Sequence, residues 1–296
     1  MEVKRIAVIG SGTMGHGIAQ VAAFADFYVS IYDISQEILE EAMSNIRGNI
    51  QKHFVSKSKM SQERGEEIVG RINTSTKLEE AVKCADFVIE VIPEDLHLKK
   101  KTFKELDRIC PAHTILASNT SVLPVTAIAG ATKRHENCLG THFFNPPQVM
   151  KLVEVVLPLD VAEETVSTTL EVCEKMGKVP VKVKDMPGFI VNRLLMLLYM
   201  EAAQIVLEGT ATAEEVDMAM KLGAGQPMGP CELADFGGFD VIQMASDAIF
   251  EYTHRECDRL NILYRKMIEA GRLGRKNGKG FYDYLPDGSK RPFKLF

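Results

Sequence analysis

The sequence predicts an α/β chain in which a doubly wound sheet with a helical hairpin insertion is followed by an all-α C-terminal domain. Three observations carry that prediction. Short β-branched runs alternate with helical stretches up to about residue 185, one long charged stretch of helical pattern interrupts them, and after Pro187-Gly188 the β-branched runs stop. The strand-like runs are 5–9, 28–32, 87–90, 114–118, 138–142, 152–157 and 179–183. Between the second and the third, residues 36–70 read as a helical hairpin that stands off the sheet. Past the joint, residues 189–207, 213–222, 239–252 and 260–270 repeat apolar side chains at helical spacing. Thr212 is a natural N-cap ahead of Glu214 and Glu215, and Gly223 and Gly271 mark helix ends. The expected domains are therefore 1–185 and 186–296.

Composition narrows the function classes. With 296 residues, 46% hydrophobic and 25% charged, the chain has enough apolar sequence for two cores. A net charge of −5 and a pI near 5.9 argue against a nucleic-acid partner. The longest wholly apolar run, 194–200, is far shorter than the ~20 residues a spanning helix needs, so no membrane partner is expected. The first residues lead straight into a strand with no signal-type apolar core, which predicts a soluble, cytoplasmic protein. Six cysteines are scattered without a CxxC pair or a His at ligand spacing; they read as buried free thiols, and no metal site is expected.

The most specific local signal is the loop Gly10-Ser11-Gly12-Thr13-Met14-Gly15. It follows the apolar run Ile6-Ala7-Val8-Ile9 and opens a helix bearing Ile18, Val21 and Ala22, the context in which this glycine spacing holds a dinucleotide. Gly10 permits the tight turn, Gly12 lets the backbone approach a pyrophosphate, and Gly15 lets helix and strand close up. The amides of the loop and helix start, from Gly12 through Thr13 and Met14, then face the phosphates. The sheet is thus of the Rossmann type. Asp33, just past the second strand, would accept from ribose hydroxyls and repel a 2′-phosphate, so NAD is expected over NADP unless a neighbouring cation reverses the choice.

Two polar residues stand where burial makes them costly. Glu154 lies within Leu152-Val153-Glu154-Val155-Val156-Leu157, a run apolar on both faces, and a buried carboxylate needs a partner. His142 closes a preceding strand just ahead of Pro146-Pro147, a pair able to turn the chain back alongside itself. Paired with Glu154, the imidazole is oriented and can serve as a general base for an alcohol proton, and as an acid in reverse; the same pair could also do no more than brace a hairpin. Ser118-Asn119-Thr120-Ser121 follows a strand at the edge where open α/β sheets bind ligands, although its hydroxyls could equally cap the next helix. Asn192, on an apolar helix, either donates to a ligand or satisfies nearby backbone.

In order along the chain, GSGTMG (10–15), ASNTS (117–121), HFFNP (142–146), MKLVEVV (150–156), PGFIVNR (187–193), AMKLGAGQPMGP (219–230) and GRKNGKGFYDY (274–284) resemble the 3-hydroxyacyl-CoA dehydrogenase family, in particular its single-function 3-hydroxybutyryl-CoA form. The resemblance covers nearly the whole chain. It implies a catalytic pair at His142 and Glu154, and substrate contacts at Ser121 and Asn192. It also implies cofactor contacts at Glu94, Lys99, Asn145 and Lys276, and a hairpin around residues 45–60 that helps bind coenzyme A through Lys52, Lys57 and Lys59. A lysine-rich helix can also be merely a solvated face. The implied reaction moves a hydride between C3 of a 3-hydroxyacyl-CoA and NAD while His142 takes the hydroxyl proton, in a homodimer built through the helical domain.

Val122 and Asp26 depart from the family pattern, which more often has serine and glycine there. The Pro146-Pro147 pair is similar to that of a branch that oxidises the sugar acid gulonate, but Phe143 and Phe144 favour the acyl-CoA branch. A dehydrogenase for a hydroxy acid without coenzyme A and a non-catalytic dinucleotide sensor are the competing readings.

Overall fold

An eight-stranded sheet organises the first part of the chain, in the spatial order β3-β2-β1-β4-β5-β6-β7-β8. In this computed structural model, which describes residues 2–294, the chain divides into two compact units, Met1–Met186 and Pro187–Phe296. The first unit runs β1 (Arg5–Ile9), α1 (Gly15–Phe24), β2 (Tyr28–Tyr32), α2 (Gln36–Ile50), α3 (Gln62–Gly70), β3 (Ile72–Ser75) and α4 (Leu78–Val82). It continues with β4 (Phe87–Glu90), α5 (Leu96–Ile109), β5 (Ile115–Ser118), α6 (Val125–Ala129), β6 (Cys138–Phe143), β7 (Leu152–Leu157), α7 (Glu163–Lys175) and β8 (Val179–Lys184). All neighbouring strands pair in parallel except β6 and β7, which are antiparallel.

The apolar runs follow from this layering. Parallel strands with both faces covered bury every position, and β1 sends Ile6 and Val8 into one core and Ala7 and Ile9 into the other. β3 is absent from the strand reading because its sequence, Ile-Asn-Thr-Ser, has one buried apolar residue at the sheet edge and no run to recognise.

The helical hairpin forms at the expected place but does not stand off. Helix α2 passes into a π-helical turn over Gln51–Val55, and α3 returns after Ser61, whose hydroxyl accepts from Arg64 N at 3.2 Å. Leu39, Ile46, Ile50 and Ile68 join the same core as Ile18 and Phe27, and the Phe24 and Phe54 rings lie 4.9 Å apart. A charged outer face hid a narrow apolar stripe that α1 covers. Asp26 sits at φ 66° and accepts from Arg64 at 2.7 Å; aspartate is among the few residues that tolerate this backbone.

The second unit comprises α8 (Val191–Leu207), α9 (Ala213–Gly223), α10 (Pro230–Gly237), α11 (Phe239–Thr253) and α12 (Ile262–Glu269), then a hairpin of β9 (Tyr282–Tyr284) and β10 (Lys290–Pro292). It is helical as expected; the hairpin is an addition, its strands too short to register as a pattern. Thr212 and Glu215 form a reciprocal capping box on α9. The aromatic rings of Phe239, Tyr264 and Phe281 meet edge to face at 5.1–5.6 Å and form its core.

The cysteine expectation needs correction: Cys110, Cys138, Cys173 and Cys231 are buried free thiols, but Cys84 and Cys257 are exposed. Among the described residues, no helix is long and apolar enough to cross a membrane.

Buried carboxylates tie the second unit together. Asp217 accepts from the amides of Cys231 (2.7 Å) and Glu232 (3.0 Å), capping α10 from a neighbouring helix. Asp235 accepts from the amides of Phe281 (2.7 Å) and Tyr282 (3.0 Å), fastening the C-terminal segment. Burial outweighs these hydrogen bonds and raises the Asp235 carboxyl from 3.8 to about 6. A carboxyl whose folded value exceeds its unfolded one contributes stability below the unfolded value, lost as pH rises through the folded one. The stability difference between wild type and Asp235→Asn, measured by urea unfolding, should therefore shift toward wild type as pH falls from 7 to 5; a difference independent of pH would refute it.

Candidate active site

The carboxyl ends of β1, β2, β4, β5 and β6 form one edge of the sheet, where loops leaving parallel strands gather ligand-binding groups. Gly10 stands at φ 103°, and a side chain there would meet the Val91 carbonyl at 2.6 Å. A Cβ on Gly15 would fall 1.9 Å from the Gly10 carbonyl, whereas one on Gly12 meets nothing within 4 Å. Two of the glycines are thus fixed by packing, and the third faces open space. Helix α1 starts with no side-chain cap and no acidic residue in its first turn, so its amide dipoles suit an anion. Asp33 takes hydrogen bonds from Ser11 N and Ser11 Oγ, both 2.8 Å, which fixes its carboxylate beside the loop. Thr13 is exposed and Met14 half-buried. These residues fit an adenine dinucleotide.

A second cluster begins at Glu90, fully buried at the end of β4. Its carboxylate accepts from Lys99 Nζ at 2.6 Å and from Ser118 Oγ at 2.6 Å. Lys99, itself buried, also donates to the Ile92 carbonyl (3.1 Å) and lies 3.4 Å from Glu94. Glu94 then gathers the turn after β5, accepting from Thr120 Oγ1 (2.6 Å), Ser121 N (2.8 Å), Ser121 Oγ (3.2 Å) and Val122 N (3.2 Å). Burial opposes ionisation of Glu94, but the Lys99 charge and the hydrogen bonds of that turn outweigh it and hold the carboxyl below its ordinary value. Lys99 is thus enclosed by protein, and it bears on the site through Glu94.

The third cluster is the antiparallel return. His142 on β6 lies directly opposite Glu154 on β7 in the strand register, and His142 Nδ1 and Glu154 Oε2 are 2.7 Å apart. Both are buried, and the His142 ring lies 4.4 Å from that of Phe144. Asn119 joins this cluster to the second: its amide N–H donates to the Glu90 carbonyl (2.8 Å) and its side-chain oxygen accepts from Phe143 N (2.9 Å). The Val91 carbonyl against Gly10 joins the second to the nucleotide loop. Hydrogen bonds thus join the second cluster to the third, and close packing joins the second to the loop.

Asn145 is exposed just past β6. Lys52, Lys57 and Lys59 are exposed between α2 and α3. In the second unit, Asn192 occupies the first turn of α8, and Lys276 pairs with Asp240. Among the described residues, no three His, Cys, Asp or Glu side chains are grouped to hold a metal.

Sequence reasoning missed Glu90, and it singled out the Ser118–Ser121 segment without a role for the Asn119 side chain. The signal for Glu90 was the one that singled out Glu154, a carboxylate ending an apolar run, Phe87-Val88-Ile89-Glu90. Asn119 had no signal, because its role is set by a neighbouring strand.

Removing the Lys99 ammonium would leave Glu90 and Glu94 facing each other without a cation. Lys99→Met is expected to cost about 3–5 kcal/mol in denaturant unfolding, the range for breaking one side of a buried pair. A loss within the range of surface substitutions, about 0.5 kcal/mol, would contradict the assignment.

Residues 5–186 match the model of the 3-hydroxyacyl-CoA dehydrogenase NAD binding domain, and residues 188–284 match the C-terminal domain of the same family. The chain is 46% identical over 288 residues to a probable 3-hydroxybutyryl-CoA dehydrogenase of Bacillus subtilis, covering 96% of this chain and 98% of that one. It is 42% identical over 291 residues to the human mitochondrial hydroxyacyl-coenzyme A dehydrogenase, covering 95% of this chain and 91% of the human protein. A crystal structure of (S)-3-hydroxybutyryl-CoA dehydrogenase from Ralstonia eutropha superposes with a TM-score of 0.93 at 36% identity, covering 96% of this chain and 100% of that one. With both units matched by one family and relatives aligned over nearly their whole length, the chain belongs to the 3-hydroxyacyl-CoA dehydrogenase family.

Proposed function

We propose that the protein interconverts (S)-3-hydroxyacyl-CoA and 3-ketoacyl-CoA thioesters, with short chains such as 3-hydroxybutyryl-CoA and acetoacetyl-CoA as substrates, and NAD as cofactor. The observation that carries this reading is the buried His142–Glu154 pair on the same sheet edge as the glycine loop. Gly10, Gly12, Thr13, Met14, Gly15 and Asp33 would hold the cofactor, with Glu94, Asn145 and Lys276 as further contacts and Lys99 supporting Glu94. Bound there, NAD supplies a hydride acceptor.

With Nδ1 engaged by Glu154, His142 exchanges the substrate proton through Nε2. In oxidation the O–H bond at C3 breaks and its proton passes to the imidazole. The C–H electron pair leaves as hydride, and a C=O double bond forms. Reduction reverses each transfer. Ser121 and Asn192 would donate to the oxygen as it gains negative charge, an effect worth ~10²–10³-fold at a well-placed donor. The ammonium groups of Lys52, Lys57 and Lys59, exposed on the hairpin, would meet the phosphates of coenzyme A.

The same reading includes a homodimer built on the helical unit. It is supported by large apolar side chains exposed there, among them Leu194, Met218, Leu222, Phe236 and Ile262; a monomer in sedimentation would contradict it. The six free cysteines accord with a reducing compartment such as the cytoplasm.

Acetoacetyl-CoA reduction, followed by loss of NADH absorbance, tests the activity, and a sugar acid assayed in parallel tests the coenzyme-A-free alternative. His142→Ala should lower kcat by ~10²–10⁴-fold while NADH affinity stays close to that of wild type. Turnover at the wild-type rate in this variant would remove His142 from the chemistry.

A further inference from the structure

Lys178 is a buried lysine that the mechanism does not use. Its backbone is fixed where α7 ends and β8 begins: Lys178 N donates to the Cys173 carbonyl (3.0 Å), and Val179 N donates to the Lys151 carbonyl (2.8 Å). Its side chain is 7% exposed, and the ammonium donates to the Pro147 carbonyl and, at 2.9 Å, to the Met150 carbonyl. Burial lowers its proton affinity below that of an ordinary lysine. Both acceptors belong to the turn that joins β6 to β7, the turn that brings Glu154 back to His142.

That turn has a demanding task. Successive strand residues face opposite sides of a sheet, so a return displaced by one residue would take Glu154 off the face of His142. Residues 144–151 form a longer connection than the tight hairpins whose turn type alone dictates register. Something outside the turn must place it. On one side α1 does so: the Gln148 amide lies 3.0 Å from where a Gly17 side chain would begin, and it donates to Gln20 Oε1 at 3.4 Å, both on α1. Lys178 holds the other side.

We propose that Lys178 is a positioning residue for the His142–Glu154 pair. By drawing the Pro147 and Met150 carbonyls onto one ammonium, it fixes the return of the chain and the seat of the turn on α1, the helix that opens at the nucleotide loop. The proposal rests on the reading of His142 as the proton carrier.

The test compares wild type, Lys178→Met, Lys178→Gln and His142→Ala in acetoacetyl-CoA reduction, with NADH binding and unfolding measured on each. Lys178→Met keeps the length of the side chain and removes its donors. Its kcat should fall roughly 10- to 100-fold, the scale of a small displacement of reacting groups, while NADH affinity changes by less than about twofold. Lys178→Gln, which keeps an amide donor, should recover part of the loss. A lysine that serves stability alone would lower the unfolding midpoint and leave the kcat of folded protein within about twofold of wild type, and that result overturns the proposal. If Lys178→Met does not fold, the kcat of Lys178→Gln decides by the same twofold criterion. An inactive wild type, or full turnover in His142→Ala, would strike the underlying reading, and so is distinguishable from failure of the proposal itself.

Discussion

A carboxylate placed between apolar strands must be paired, and Glu154 meets that constraint through its cross-strand neighbour His142. An unpaired buried carboxylate is costly enough to change its protonation or unsettle the fold. The sheet supplies the partner by reversing direction once, between β6 and β7, so that His142 and Glu154 face each other. The groups at the β6 end of the sheet depend on that reversal. It fixes the imidazole by one nitrogen, sets Phe144 against the ring, and leaves Asn145 at the start of the turn.

The same physical problem recurs twice, with different solutions. At the end of β4, Glu90 is matched by a lysine that is itself buried, and that one positive charge is shared with Glu94. Glu94 in turn organises the Thr120–Val122 backbone, so a polar network, rather than apolar packing, shapes the loop that carries Ser121. In the second unit, Asp217 and Asp235 are satisfied by backbone amides, with Tyr282 and Tyr284 adding hydroxyl donors. The first solution retains charge at the carboxyl edge of the sheet. The second fastens a short C-terminal hairpin onto helices.

Periodicity made much of this legible. Seven of the eight strands of the large sheet announce themselves, the inner ones because burial on both faces requires apolar runs and the exposed edge strand β8 by its repeated valines, and Thr212 with Glu215 marks a helix start by its local hydrogen-bonding chemistry. The glycine loop was readable from its setting between a strand and a helix, and Glu154 from the cost of its own burial. Elements whose identity rests on partners were not readable in that way. β3 is polar and is a strand because β2 lies beside it; α10 is short and is capped by a residue from α9; and the helical hairpin is laid on α1 by an apolar stripe that its charged face obscures.

By itself, then, the sequence determined the layer architecture, the nucleotide loop and the residue types able to move a proton, because those follow from local backbone chemistry and from hydrophobic period. Only the tertiary structure decided the strand register that sets His142 against Glu154, the enclosure of Lys99 between two carboxylates, and the hydrogen bonds of Asn119 and Lys178. Each of these is a contact between different elements of the fold, fixed by packing and by the need to satisfy buried polar groups, which no local pattern encodes.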